Sequence, residues 1–105
     1  MANRTKIGQR GESRVARGLR RRGGRVKTSP GSRGPKDHVW SNGRKKWYIQ
    51  TKTSQKDRPA WPGREEMARL KRAAAAAGAT PVVALVAGSN PPEYRSAKTR
   101  RRLKP

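Results

Sequence analysis

At 105 residues the chain has room for one domain. It carries 28 Lys and Arg against 6 Asp and Glu, a formal charge of +22. A free protein this basic repels itself, so a polyanionic partner, DNA or RNA, is expected. The lack of cysteine excludes disulfides, thiolate metal sites and cysteine nucleophiles, and with His38 as the single histidine a zinc site would have to be mostly carboxylate. The longest apolar run, 81–87, is too short to span a bilayer, and the N-terminus lacks an apolar signal core. An intracellular protein, cytoplasmic or nucleoid-associated, with no membrane partner is therefore expected. Hydrophobic residues make up 30% and Phe is absent, so the core is small and dimerisation would bury more apolar surface.

Residues 1–7 are polar and expected to fray, and residues 8–22 read as a helix. At about 100° per residue, Glu12, Val15, Ala16 and Leu19 form one stripe, with Arg10, Arg14, Arg17 and Arg21 opposite. Glu12 thus falls among apolar residues, an odd place for a carboxylate. Gly23-Gly24 ends the helix. A short strand is expected at 26–28, then a Pro/Gly/Ser-rich loop at 29–36. Strands at 37–40 and 46–53 join around Asn42-Gly43, a strong hairpin signal. In the second, Trp47, Ile49 and Thr51 point one way and Tyr48, Gln50 and Lys52 the other.

A loop at 54–63 carries Pro59, Trp61 and Pro62. Residues 65–77 read as a second helix with Gly78 as its C-cap. Residues 80–87 form an unalternating apolar strand, hence buried on both faces. Residues 94–97 add an edge strand, and 98–105 form a basic, mobile tail outside a single domain of residues 1–97. The order helix, three strands, helix, strand implies an α/β fold around a small mixed sheet. Trp40, Trp47 and Tyr48 suit base stacking, although such residues more often fill a small core. His38 alternates away from Asp37 and reads as structural or exposed.

Six carboxylates exist in the whole chain, and two stand where solvated charges would not. Glu12 is on the apolar stripe and Asp37 opens a strand. Gln50 and Lys52 share a strand face roughly 7 Å apart, and Asp37 lies across the hairpin from them. An Asp, an amide oxygen, a second carboxylate and a lysine suit phosphodiester hydrolysis. Oxygen ligands hold Mg²⁺, and the ammonium stabilises charge on the phosphorane or orients the nucleophile. Taken singly, each residue has a bland reading. Glu12 is equally an arginine's ion-pair partner, Asp37 a strand-initiating residue and Lys52 a solvated lysine. The joint spacing is the signal.

Asp37, followed after thirteen residues by Gln50-Thr51-Lys52, resembles the D…(E/Q)xK motif of PD-(D/E)xK nucleases. With Gly11-Glu12, Gly31-Ser32, Asn42-Gly43, Tyr48 to Thr53, Gly78-Ala79 and Pro81 to Ala84 in order, residues 6–97 resemble the archaeal-type Holliday junction resolvases. The resemblance implies a restriction-endonuclease-like fold and a homodimer making paired, Mg²⁺-dependent cuts in branched double-stranded DNA, with Mn²⁺ able to substitute. By motif position Glu12, Asp37, Gln50 and the Thr51 carbonyl gather the metal, and Lys52 is the catalytic lysine. Ser32 lies near the scissile phosphate, though it is equally a plain turn residue.

Two departures stand out. Gln50 replaces the usual Glu, removing a charge from the metal site, and Ser13 follows Glu12 where relatives tend to carry Arg. Candidate DNA contacts are Arg4, Lys6, Arg10, Arg14, Lys27, Arg33, Lys36 and Lys56, and three basic clusters, 20–22, 44–46 and 98–102, are further candidates. Two alternatives stay open: another PD-(D/E)xK nuclease that nicks, trims flaps or repairs, and a non-catalytic basic nucleic-acid-binding protein.

Overall fold

The computed structural model describes residues 4–28, 36–55 and 57–105, with side chains from residue 10 onward. Helix α1 (Arg4–Arg21) leads into strands β1 (Arg25–Thr28), β2 (His38–Asn42) and β3 (Lys45–Ser54). Helix α2 (Arg64–Ala76) follows, then β4 (Thr80–Ala87), β5 (Glu93–Ser96) and β6 (Arg102–Leu103). The six strands form one sheet in sequence order. Only β3 and β4 pair in parallel, joined across α2. Every other neighbouring pair is antiparallel.

Alternation explains the two layers. Val15 and Leu19 of α1 pack on Trp40, Trp47, Ile49, Val82, Ala84 and Val86. Met67 and Leu70 of α2 pack on Val83 and Leu85, with Tyr48 and Trp61 at the margin. β4 is thus apolar without interruption because a helix lies on each side of it. Trp40 and Trp47 are directly paired across β2 and β3, with ring centroids 4.9 Å apart, edge to face. Both are core residues, so neither is free to stack on a base.

The turn after α1 demands Gly24, whose φ is 92°. A Cβ there would sit 2.1 Å from the Ser41 carbonyl oxygen, so β1 can close onto β2 only with a bare backbone. Gly11 plays the same part inside α1, where a Cβ would meet Thr53 Oγ1 at 2.0 Å. That contact seats the first half of α1 over the end of β3.

Three expectations are corrected. The helix begins at Arg4 instead of residue 8, because polar residues extend a helix without extending its apolar stripe. β5 is not an edge strand, and the stretch expected to be a mobile tail supplies β6, pairing Leu103 with Tyr94 and Arg102 with Arg95. Two residues have no periodicity to read. What holds them is the turn before them, where Ser96 N–H donates to the Arg101 carbonyl and Arg95 Nη1 to the Arg100 carbonyl, while Leu103 packs against the α1-side core. No helix among the described residues is long and apolar enough to cross a membrane.

Candidate active site

Asp37 stands one residue before β2. Its N–H donates to the Ile49 carbonyl at 2.7 Å, and its Oδ2 accepts the Thr51 N–H at 2.8 Å. These two bonds across the hairpin fix the carboxylate beside the middle of β3. It is 4% exposed. Burial raises its pKa to about 6; the Thr51 N–H and the Lys52 ammonium pull it down, while Glu12 and Glu66 push it up.

Gln50 and Lys52 share the β3 face of Tyr48, the side on which α2 packs. Glu12 arrives from the other side, half-buried on α1, and its charge acts on both Asp37 and His38. The structure therefore brings Glu12, Asp37, Gln50 and Lys52 around the Asp37 end of β2. Among the described residues no group of three or more histidines and acids is arranged to hold a metal ion. With Gln50 in the set, the oxygen donors on offer are two carboxylates, an amide and the Thr51 carbonyl. All are hard ligands of the kind Mg²⁺ takes. A buried carboxyl whose ionisation is opposed by burial and by two nearby acids is also a place where a cation is favourable. The donor set fits a divalent ion.

Glu66 is the residue that sequence reasoning missed. It lies in the first turn of α2, where acids commonly offset the helix dipole, so nothing in its position announces a second role. Its Oε2 is 2.8 Å from Lys52 Nζ, with the two side chains 45% and 31% exposed. Glu66 thus anchors the lysine of the motif on the α2 side.

His38 is structural. It is buried on the α1 side, its Nδ1 is 3.1 Å from Thr28 Oγ1, and burial chiefly lowers its pKa, with Arg20 adding to the effect and Glu12 opposing it. His38 Nε2 and Thr51 Oγ1 are buried without a hydrogen-bond partner among the described residues.

Ser32, Arg33 and Lys56 lie outside the described residues, as do the side chains of Arg4 and Lys6. Arg10 is exposed; Arg14 is half-buried and donates to the Gly88 carbonyl. Lys27 is exposed on β1, whereas Lys36 places its Nζ 4.6 Å from the centre of the Tyr48 ring.

A mixed sheet with one helix on each side and an Asp…Gln-x-Lys set on its central hairpin has the restriction-endonuclease-like fold. One solved structure that it matches is that of Hjc from Archaeoglobus fulgidus, a Holliday junction resolvase from an archaeal hyperthermophile. The TM-score is 0.76 over 90% of this chain and 84% of that one. Identity is 23%, so the likeness is one of fold. No family model and no curated protein matches the sequence.

Proposed function

We propose that this chain is a divalent-metal-dependent endodeoxyribonuclease that resolves four-way DNA junctions as a homodimer inside the cell. The observation that carries the reading is the buried Asp37 locked to the Thr51 amide, with Gln50 and Lys52 beside it on one strand. The fold shared with a Holliday junction resolvase and the +22 charge support it. In this reading Glu12, Asp37, Gln50 and the Thr51 carbonyl would hold Mg²⁺, which when bound makes the phosphate more electrophilic and water more acidic. The Thr51 N–H keeps Asp37 from turning away. The Lys52 ammonium faces the scissile phosphate and offsets the charge that builds there. Two sites related by a two-fold axis would suit paired cuts in strands of like polarity.

The test compares wild type, Asp37→Asn and Lys52→Ala on labelled four-way, flapped and linear DNA, with and without Mg²⁺. The expected result is junction cleavage by the wild type alone, with both variants binding the junction normally. Equal cutting of all three substrates would leave a nuclease without junction preference. A second reading, a non-catalytic nucleic-acid-binding protein, is favoured by the missing charge at Gln50 and the engagement of Lys52 by Glu66. It predicts binding without cleavage in the wild type.

A further inference from the structure

The α1 side of the sheet is only half covered. The α1 backbone lies closest to β1 and β3 and that of α2 to β3 and β4, while β5 and β6 reach the α1-side core through Tyr94 and Leu103. Over that uncovered half lies a groove of about 880 Å³. Its floor includes Gly18, Tyr94 and Leu103. One wall is Arg14, Arg17, Arg21 and Arg22 of the helix and the turn that follows it; the other is Arg102 and Lys104 of the C-terminal strand and its end. Among the described residues no Asp or Glu side chain lines it.

Six cations lining one space with no acidic side chain among them is an unfavourable arrangement for the bare protein, since like charges on successive helical turns repel. A second copy of the chain cannot neutralise it, because six carboxylates are spread over the whole sequence. Glu93 is held by Arg95 and Arg58, Glu66 by Lys52 and Glu65 by Arg69. A polyanion from another molecule is the counter-charge that suits it. The groove also adjoins a second cleft: Arg14 and Ser89 line both, and the second adds Arg10, Thr53 and Gly88 at the end of β3. From Arg10 to Arg21 the helix runs about 16 Å. Duplex DNA advances about 3.4 Å per base pair, so this wall matches roughly half a helical turn.

We propose that the groove between α1 and β6 is the track for one duplex arm of the DNA as it leaves the cleavage site, gripped through backbone phosphates by Arg17, Arg21 and Arg102. This rests on the reading of the chain as a DNA nuclease, and it adds a surface formed by the stretch that the sequence presents as a loose tail. Arg14 is structural here, because it holds the Gly88 carbonyl.

The test is metal-free binding to junctions with long and with short arms, and to single strands, across a salt series. Wild type is compared with Arg17→Ala/Arg21→Ala/Arg102→Ala and with a charge-matched control, Arg69→Ala/Lys71→Ala/Arg72→Ala on α2, circular dichroism confirming that all three fold alike. Each lost phosphate contact makes the salt slope shallower by about 0.9. The groove variant should therefore lose about forty-fold less affinity than wild type between 50 and 200 mM salt. The control should track wild type, and the difference should vanish when the arms are shortened. Equal effects in the groove and control variants, or an effect confined to single strands, would overturn the track. Cleavage is scored separately on the same junctions. A wild type that binds but never cuts defeats the nuclease reading and leaves the track standing, whereas a groove variant that binds like wild type defeats the track alone.

Discussion

Asp37 titrates near pH 6 because burial strips the water that would hydrate its charge, and the Thr51 amide and Lys52 recover only part of that loss. A folded-state pKa above the ordinary 3.8 means that the folded chain binds this proton more tightly than the unfolded one. The associated stability is present below pH 3.8 and is lost as pH rises through 6. With metal chelated, Asp37→Asn should exceed wild type in stability by about 3 kcal/mol at pH 8. Denaturant melts should show that margin shrinking towards pH 4; a margin constant with pH would contradict the burial of this charge. In the proposed function Mg²⁺ would compete with the same proton, so metal affinity by titration calorimetry should climb with pH up to about 6 and then level off.

Lys52 and Glu66 are half-exposed, so their ion pair adds under about 1 kcal/mol to stability. Its effect belongs to placement. Glu66→Gln should leave the melting curve almost unmoved and lower junction cleavage roughly ten-fold, measured in single turnovers with saturating enzyme. Loss of cleavage only in step with loss of folding would reduce Glu66 to a helix-start residue. Asp37, Gln50 and Lys52 were legible in the sequence because spacing along a strand fixes which residues share a face. Glu66 was not, because its partner is fourteen positions away and reaches it only through the β3–α2 packing.

At the scale of elements, α1 shows how a local preference and a contact can oppose each other. Ala is a better helix former than Gly by about 1 kcal/mol, so helix propensity alone would favour Gly11→Ala. The added methyl would meet Thr53 Oγ1 at 2.0 Å, Cγ2 at 2.9 Å and Cβ at 3.0 Å, so rotating the threonine does not clear it. Overpacking of this kind costs about 1–3 kcal/mol, and the net change should be destabilising. Thr53→Ala in the same chain should restore most of it, a coupling that a double-mutant cycle reads directly. The apolar stripe of α1, the hairpin and the doubly buried β4 were all visible as periodicity. The first turn of α1 and the two residues of β6 were not, since a polar turn has no stripe and a dipeptide has no period.

For the whole molecule, β6 extends the sheet past β5 and seats Leu103 on the α1-side core. Leu103→Ser should cost about 1 kcal/mol and lower Tm by several degrees in a thermal melt. An unchanged Tm would show that the strand lies outside the cooperative unit. How far the groove is a property of the assembled sheet follows from the same contact: Arg102 faces Arg17 and Arg21 only because β6 is held against β5.

β3 joins the antiparallel half of the sheet to the parallel pair, in register with β2 along 45–49 on one side and with β4 along 47–54 on the other. Its amide protons are therefore released to solvent only when the sheet as a whole comes apart. In deuterium exchange, the backbone at Gln50, Thr51 and Lys52 should be among the slowest in the molecule, and β1 and β6 among the fastest. In the proposed function, a junction would then be met by a scaffold that does not yield around Asp37 and Lys52, and the adjustment to each arm would fall to the DNA and to the margins of the sheet.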